Sequence, residues 1–160
     1  MSDVKFWGWN KKARTMIRFI KPGDIFCFRV KDNEYRFGRI ISKFPTGHLA
    51  EIFNLTSSEP NISKEKLNNA TRIFSPIILD SYMLFDRKIE TDGDWRIIGH
   101  QEKYTPTDVD NIYFTYGIEE SCKKIDAFGN ITSISEKEAL GIPSLFPQND
   151  YKIKNLLLQY

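Results

Sequence analysis

The stretch KPGDIFCFRVKDNEYRFGRI, residues 21–40, decides how the rest of the chain is read. Pro22-Gly23-Asp24 is turn chemistry, because proline fixes φ, glycine permits otherwise crowded backbone, and an aspartate bonds locally to a following amide. Phe26, Phe28 and Val30 then alternate with Ile25, Cys27 and Arg29, and Tyr35, Phe37 and Ile41 resume the period of two beyond the polar loop Lys31-Asp32-Asn33-Glu34. That pattern predicts an antiparallel hairpin. Gly38, inside the second run, predicts a bulge or a close approach of backbone to a neighbour.

Downstream, Leu49 to Leu55 reads as a third strand after the turn Pro45-Thr46-Gly47, and Ser63-Lys64-Glu65-Lys66-Leu67 as a short surface helix in a polar loop. Ile73 to Leu79 and Tyr82 to Phe85 are β-branched or aromatic, which predicts further strands. Trp95 to Ile98 follows the Asp92-Gly93-Asp94 turn, and its tryptophan is expected in the core. Ile112 to Tyr116 is another strand, and Ala127-Phe128-Gly129-Asn130 a hairpin turn. Ser135-Glu136-Lys137-Glu138 matches a capping box, and DYKIKNLLLQY predicts a terminal helix with Ile153, Leu156 and Leu157 on one face. Strands outnumber helices and do not alternate with long helical patterns. The expected fold class is therefore α+β: a single β-rich domain over residues 1–160, with a strongly bent antiparallel sheet and a few short helices.

A chain of 160 residues, 41% hydrophobic and 14% aromatic, is large enough to bury a substantial core and fits one domain. The net charge of +2 does not suggest a protein that coats nucleic acid. Its distribution is uneven: residues 1–50 carry eleven basic and four acidic side chains, residues 80–120 four basic and ten acidic ones. The N-terminus lacks a continuous apolar stretch, and no later window approaches the roughly 18 apolar residues of a spanning helix. Cys27 and Cys122 have no CxxC spacing and read as buried or free thiols, so a cytoplasmic location is expected.

Catalytic chemistry finds little support in the sequence. His48 and His100 belong to no metal-binding spacing and read as surface or hydrogen-bonded loop histidines. There is no P-loop, GxGxxG or GxSxG, so neither cofactor nor metal is expected. Phe6, Trp7 and Trp9 near Lys11, Lys12 and Arg14 could form a stacking platform for single-stranded nucleic acid, but anchoring of the N-terminus to the core is the favoured reading.

Lys21-Pro22-Gly23-Asp24-Ile25-Phe26, Gly38-Arg39-Ile40, Gly93-Asp94-Trp95-Arg96-Ile97-Ile98-Gly99-His100 and Phe128-Gly129-Asn130, with Ile134-Ser135-Glu136 after it, occur in an order that resembles the immunity protein 26 family of bacterial polymorphic toxin and contact-dependent inhibition systems. The resemblance implies a small cytoplasmic α+β protein that neutralises a cognate toxin C-terminal domain by binding it, with no catalytic residue. The glycine-aspartate turn leading into a hairpin with the later Gly38-Arg39 also resembles MazF-type endoribonuclease barrels, which implies RNA binding or cleavage, with Arg29, Arg36, Arg39 and nearby aromatics as the candidate residues. The Arg-Pro pair of those enzymes is missing, since Gly38-Arg39 is followed by Ile40, and Arg39 reads as a structural or surface arginine. Under the first reading, the acidic segment supplies the expected partner contacts: Glu90, Asp92, Asp94, Asp108 and Asp110. Carboxylates there would stand where a nuclease toxin expects phosphates. Neither membrane nor nucleic-acid binding is expected.

Overall fold

The computed structural model describes residues 3–10, 19–85 and 93–160. Among them, nine strands form two antiparallel sheets: β1 (Val4–Phe6), β2 (Asp24–Lys31), β3 (Glu34–Phe44), β4 (Gly47–Ser57), β5 (Ile77–Leu79) and β6 (Trp95–Gln101) in one; β7 (Tyr113–Tyr116), β8 (Lys123–Asp126) and β9 (Ile131–Ser133) in the other. The described residues also form four short α-helices, α1 (Lys64–Asn69), α2 (Ser81–Phe85), α3 (Glu136–Ala139) and α4 (Asp150–Leu157), and one 3-10 turn at Glu119–Ser121. The larger sheet is open, in the order β1-β6-β2-β3-β4-β5. No helix among the described residues is long and apolar enough to cross a membrane.

The hairpin forms as its residues dictate. Gly23 has φ +92°, and a Cβ there would lie 2.7 Å from the Gln101 carbonyl oxygen, so only glycine lets the turn pack against β6. Asn33 takes the left-handed conformation (φ 60°) at the tip, a role asparagine fills with little strain. At Gly38 a Cβ would sit 2.3 Å from the Phe26 ring and 2.4 Å from the Glu51 carbonyl oxygen, and the β3–β4 register shifts beside it. Both the expected bulge and the close approach are present.

Alternation along β2 feeds two cores. Phe26 and Phe28 join Ile40, Ile52, Ile97 and Trp95 on one face, closed by Leu84 and Phe85 of α2 and by Ile153 and Leu157 of α4. Ile25 and Cys27 face the other way with Phe37, Phe53 and Ile98, closed by Val4 and Leu67. Because both faces are covered, Ile25 to Phe28 are all buried and the run looks continuously apolar. A register shift between Ile40 and Ser42 accompanies a third cluster, in which Ile41 and Phe44 pack against Phe114 and Ile125 of the smaller sheet. Residues 143–148 tie the two sheets together, bonding to Thr115 at the β7 edge and to Ile78 and Asp80 at the β5 edge.

Trp95 is buried as expected, stacked on Phe28 with ring centroids 4.0 Å apart, and its Nε1–H donates to Asp150 Oδ1 at 2.7 Å. The N-terminal aromatics anchor as expected: Trp7 Nε1–H donates to the Ile97 carbonyl, and Arg96 stacks over Trp9.

Three expectations are corrected. Tyr82 to Phe85 is helical, since Ser81, Leu84 and Phe85 point inward at helical spacing while Tyr82 and Met83 face solvent. Of Ile73 to Leu79, only Ile77–Leu79 is strand; Pro76, which lacks an amide hydrogen, precedes it. The strands make two sheets rather than one.

Candidate functional site

A buried carboxylate organises the face between the second and third clusters. Glu51 of β4 is the cross-strand partner of Arg39 of β3, and the Arg39 Nε–H donates to Glu51 Oε2 at 2.9 Å. Arg72 donates from Nε to Oε1 at 3.0 Å, and the Tyr104 hydroxyl donates to Oε2 at 3.2 Å. Glu51 is only 4% exposed, so its charge is tolerable because two guanidinium groups and a hydroxyl replace the lost water. Burial, reinforced by the Glu51 charge, pushes the Tyr104 hydroxyl well above the usual phenol range, so it stays a donor.

The same arginines reach beyond Glu51. Arg39 Nη1 donates to Gln101 Oε1 at 2.7 Å, and its guanidinium lies 4.7 Å from the Tyr104 ring centroid. Arg72 donates to the carbonyls of Asp108 at 2.8 Å and Thr107 at 2.6 Å. Residues 102–112, which follow β6, are thus held by Tyr104, by Arg72 and by the buried side chain of Val109. Beside this, His100 Nδ1 bonds to Asp24 Oδ1 at 2.8 Å, and the Lys21 amide donates to Asp24 Oδ2 at 3.0 Å. The arrangement positions a loop. Its carboxylates already hold partners, and among the described residues no three His, Cys, Asp or Glu side chains converge as metal ligands.

Asp108 and Asp110 project from this loop, both exposed, and neither carboxylate has an ion-pair partner among the described residues. Asp108 adopts φ +54° while Arg72 holds its carbonyl. Asp94 lies elsewhere: it precedes β6 and Asp108 follows it, and β6 spans about 20 Å between them. Asp94 is also committed, accepting Arg29 Nε at 3.0 Å and Nη2 at 2.8 Å, with Lys154 Nζ at 3.9 Å. Glu90 and Asp92 lie outside the described residues.

The Asp94 contacts hold Arg29 firmly in its charged form, and Arg39 is engaged with Glu51, so both arginines sit in local ion pairs. His48 is not a surface residue: it is 1% exposed, bonded to Ser81 Oγ at 2.6 Å, and burial with Lys43 nearby lowers its pKa to about 4. Sequence reasoning missed Glu51, Arg72 and Tyr104. A glutamate inside the apolar run Leu49 to Leu55 was the available signal, since a strand buried on both faces tolerates a charge only when it is paired.

Residues 21–126 match the family described as Immunity protein 26. The chain belongs to the immunity protein 26 family. The matched span contains every member of the Glu51 network and the loop it holds, and stops at Asp126, before β9, α3 and α4. Comparison with curated proteins and with solved structures finds no match.

Proposed function

We propose that this protein neutralises a cognate bacterial toxin domain by binding it, without catalysis, and that Asp108 and Asp110 contact that partner. Family membership carries the first part. The second rests on one observation: a buried ionic network within the family span fixes the backbone of a loop whose outward carboxylates have no ion-pair partner among the described residues. A loop held in place before association loses less entropy on binding, and unpaired carboxylates at its rim attract a basic surface. A toxin that acts on nucleic acid has such a surface. Asp94 is left out because Arg29 and Lys154 already meet its charge.

The test uses the C-terminal domain of the polypeptide encoded immediately upstream of this chain's gene. Co-expression should restore growth and the purified proteins should associate; no rescue together with no binding overturns the reading. Reversal of both loop charges (Asp108→Lys with Asp110→Lys) should slow association and flatten its salt dependence, since rim charges act mainly on encounter. An unchanged on-rate at low ionic strength removes these two residues. Salt-sensitive binding or cleavage of mixed RNA by the purified protein would favour the ribonuclease reading instead.

A further inference from the structure

Leu140 and Ile118 are 88% and 77% exposed, two of the three most exposed large hydrophobic side chains among the described residues. Single exposed leucines need no explanation. These two line the same groove of about 250 Å³, one wall being residues 117–122 and the other residues 136–140.

Both walls are fixed. Gly117 has φ +85°, and a Cβ there would meet the Ser121 carbonyl oxygen at 2.3 Å, so the tight loop that presents Ile118 depends on glycine. The Ser121 amide bonds back to the Ile118 carbonyl at 2.8 Å. On the other wall, Ser135 Oγ accepts the Glu138 amide hydrogen at 3.1 Å and caps α3, while the Ile134 amide ties that segment to the Cys122 carbonyl.

Glu119 and Glu136 also line the groove. Neither carboxylate has an ion-pair partner among the described residues, whereas the neighbouring Glu138 is matched by Lys124 at 3.2 Å. This charge limits the occupant. Phosphate backbones and anionic lipid headgroups are repelled. A second copy docked groove to groove would set Glu119 and Glu136 against their own equivalents. A protein segment of opposite charge is attracted.

We infer that the groove between Ile118 and Leu140 docks a segment of the partner toxin in which an apolar side chain is flanked by lysine or arginine. The inference rests on the toxin-binding reading above and adds a second contact apart from the Asp108–Asp110 loop, one whose wall at residues 136–140 lies beyond the family span. The apolar side chain fills the space between Ile118 and Leu140, and its basic neighbours meet Glu119 and Glu136.

The experiment measures association and dissociation rates of the upstream-encoded toxin domain with the wild type, with Leu140→Asp and Ile118→Asp, and with the pair Glu119→Lys, Glu136→Lys. Because all four positions are exposed, melting temperatures should stay at the wild-type value. Each apolar substitution should raise Kd by about tenfold or more through faster dissociation, as loss of an interface anchor does. The charge-reversed pair should slow association. Kd values for Leu140→Asp and Ile118→Asp within about twofold of wild type, the scatter expected of neutral rim positions, overturn the inference while leaving the toxin-binding reading intact. A wild type that neither binds nor protects overturns both. A wild type that sediments as a dimer, with Leu140→Asp a monomer of unchanged toxin affinity, assigns the groove to self-association and also overturns it.

Discussion

The larger sheet covers both faces of its strand β2 from Asp24 to Phe28, whereas the outer strand of the smaller one, β9, exposes all three of its residues. The difference extends to charge. In the larger sheet Glu51 is enclosed and bonded by three donors, while at the smaller sheet Glu119 and Glu136 stand in solvent without ion-pair partners among the described residues. A single chain thus uses its carboxylates in two ways, one holding the fold and one facing outward. The larger sheet should respond to substitution through stability, and the smaller sheet and its groove through binding.

The largest effect is expected at Glu51. Glu51→Ala strands two arginines beside a buried surface and should destabilise the protein by about 3–5 kcal/mol in urea unfolding, the range for breaking a buried charge pair. A loss below about 1 kcal/mol, typical of surface positions, would mean that the network does not hold the loop. Trp95→Ala, which removes the stack on Phe28 and the bond to Asp150, should cost about 3–5 kcal/mol by cavity formation. If it weakened toxin binding at unchanged stability, the division between the two sheets would fail at a buried core aromatic.

A smaller effect is expected from His48. Its folded pKa of about 4 lies below the ordinary histidine value of 6.5, so the unfolded chain binds the proton more readily. Stability is then fully present above pH 6.5 and falls as pH drops toward 4, by a total on the order of 3 kcal/mol. His48→Gln should flatten unfolding midpoints over that interval; an unchanged slope would exclude His48 as its source. The smallest change is expected at β9, where Thr132→Ala should alter stability by no more than about 0.5 kcal/mol. A larger loss would show that β9 contributes to the fold despite its exposure.

Much of this architecture was legible because it is written in local chemistry. The β2–β3 hairpin, the Ser63 and Ser135 caps and the terminal helix each depend on residues a few positions apart, whereas glycine at 23 and 38 stood out by its local pattern although its reason lies in Gln101, Phe26 and Glu51, brought close by the fold. The helical state of Tyr82 to Phe85 was not legible, because aromatic and aliphatic residues suit either element until packing chooses a face. The acidic segment was visible as a count but not as a site. Asp94 turned out to be neutralised by Arg29, 65 positions earlier, and by Lys154, which no charge profile along the chain can show. The Glu51 network and the Ile118–Leu140 groove likewise join residues brought together only by the fold.

The place of α4 in the chain affects how the protein is made. By Gln101 the ribosome has supplied every strand of the larger sheet, yet Ile153 and Leu157, which close the face bearing Phe28 and Trp95, follow about 50 residues later. At a synthesis rate of about 5–20 residues per second, that face waits roughly 3–10 s for its cover. During this interval the nascent chain presents an aromatic surface suited to chaperone capture. On the proposed toxin-binding function, protection would fall to molecules finished earlier, not to those still emerging.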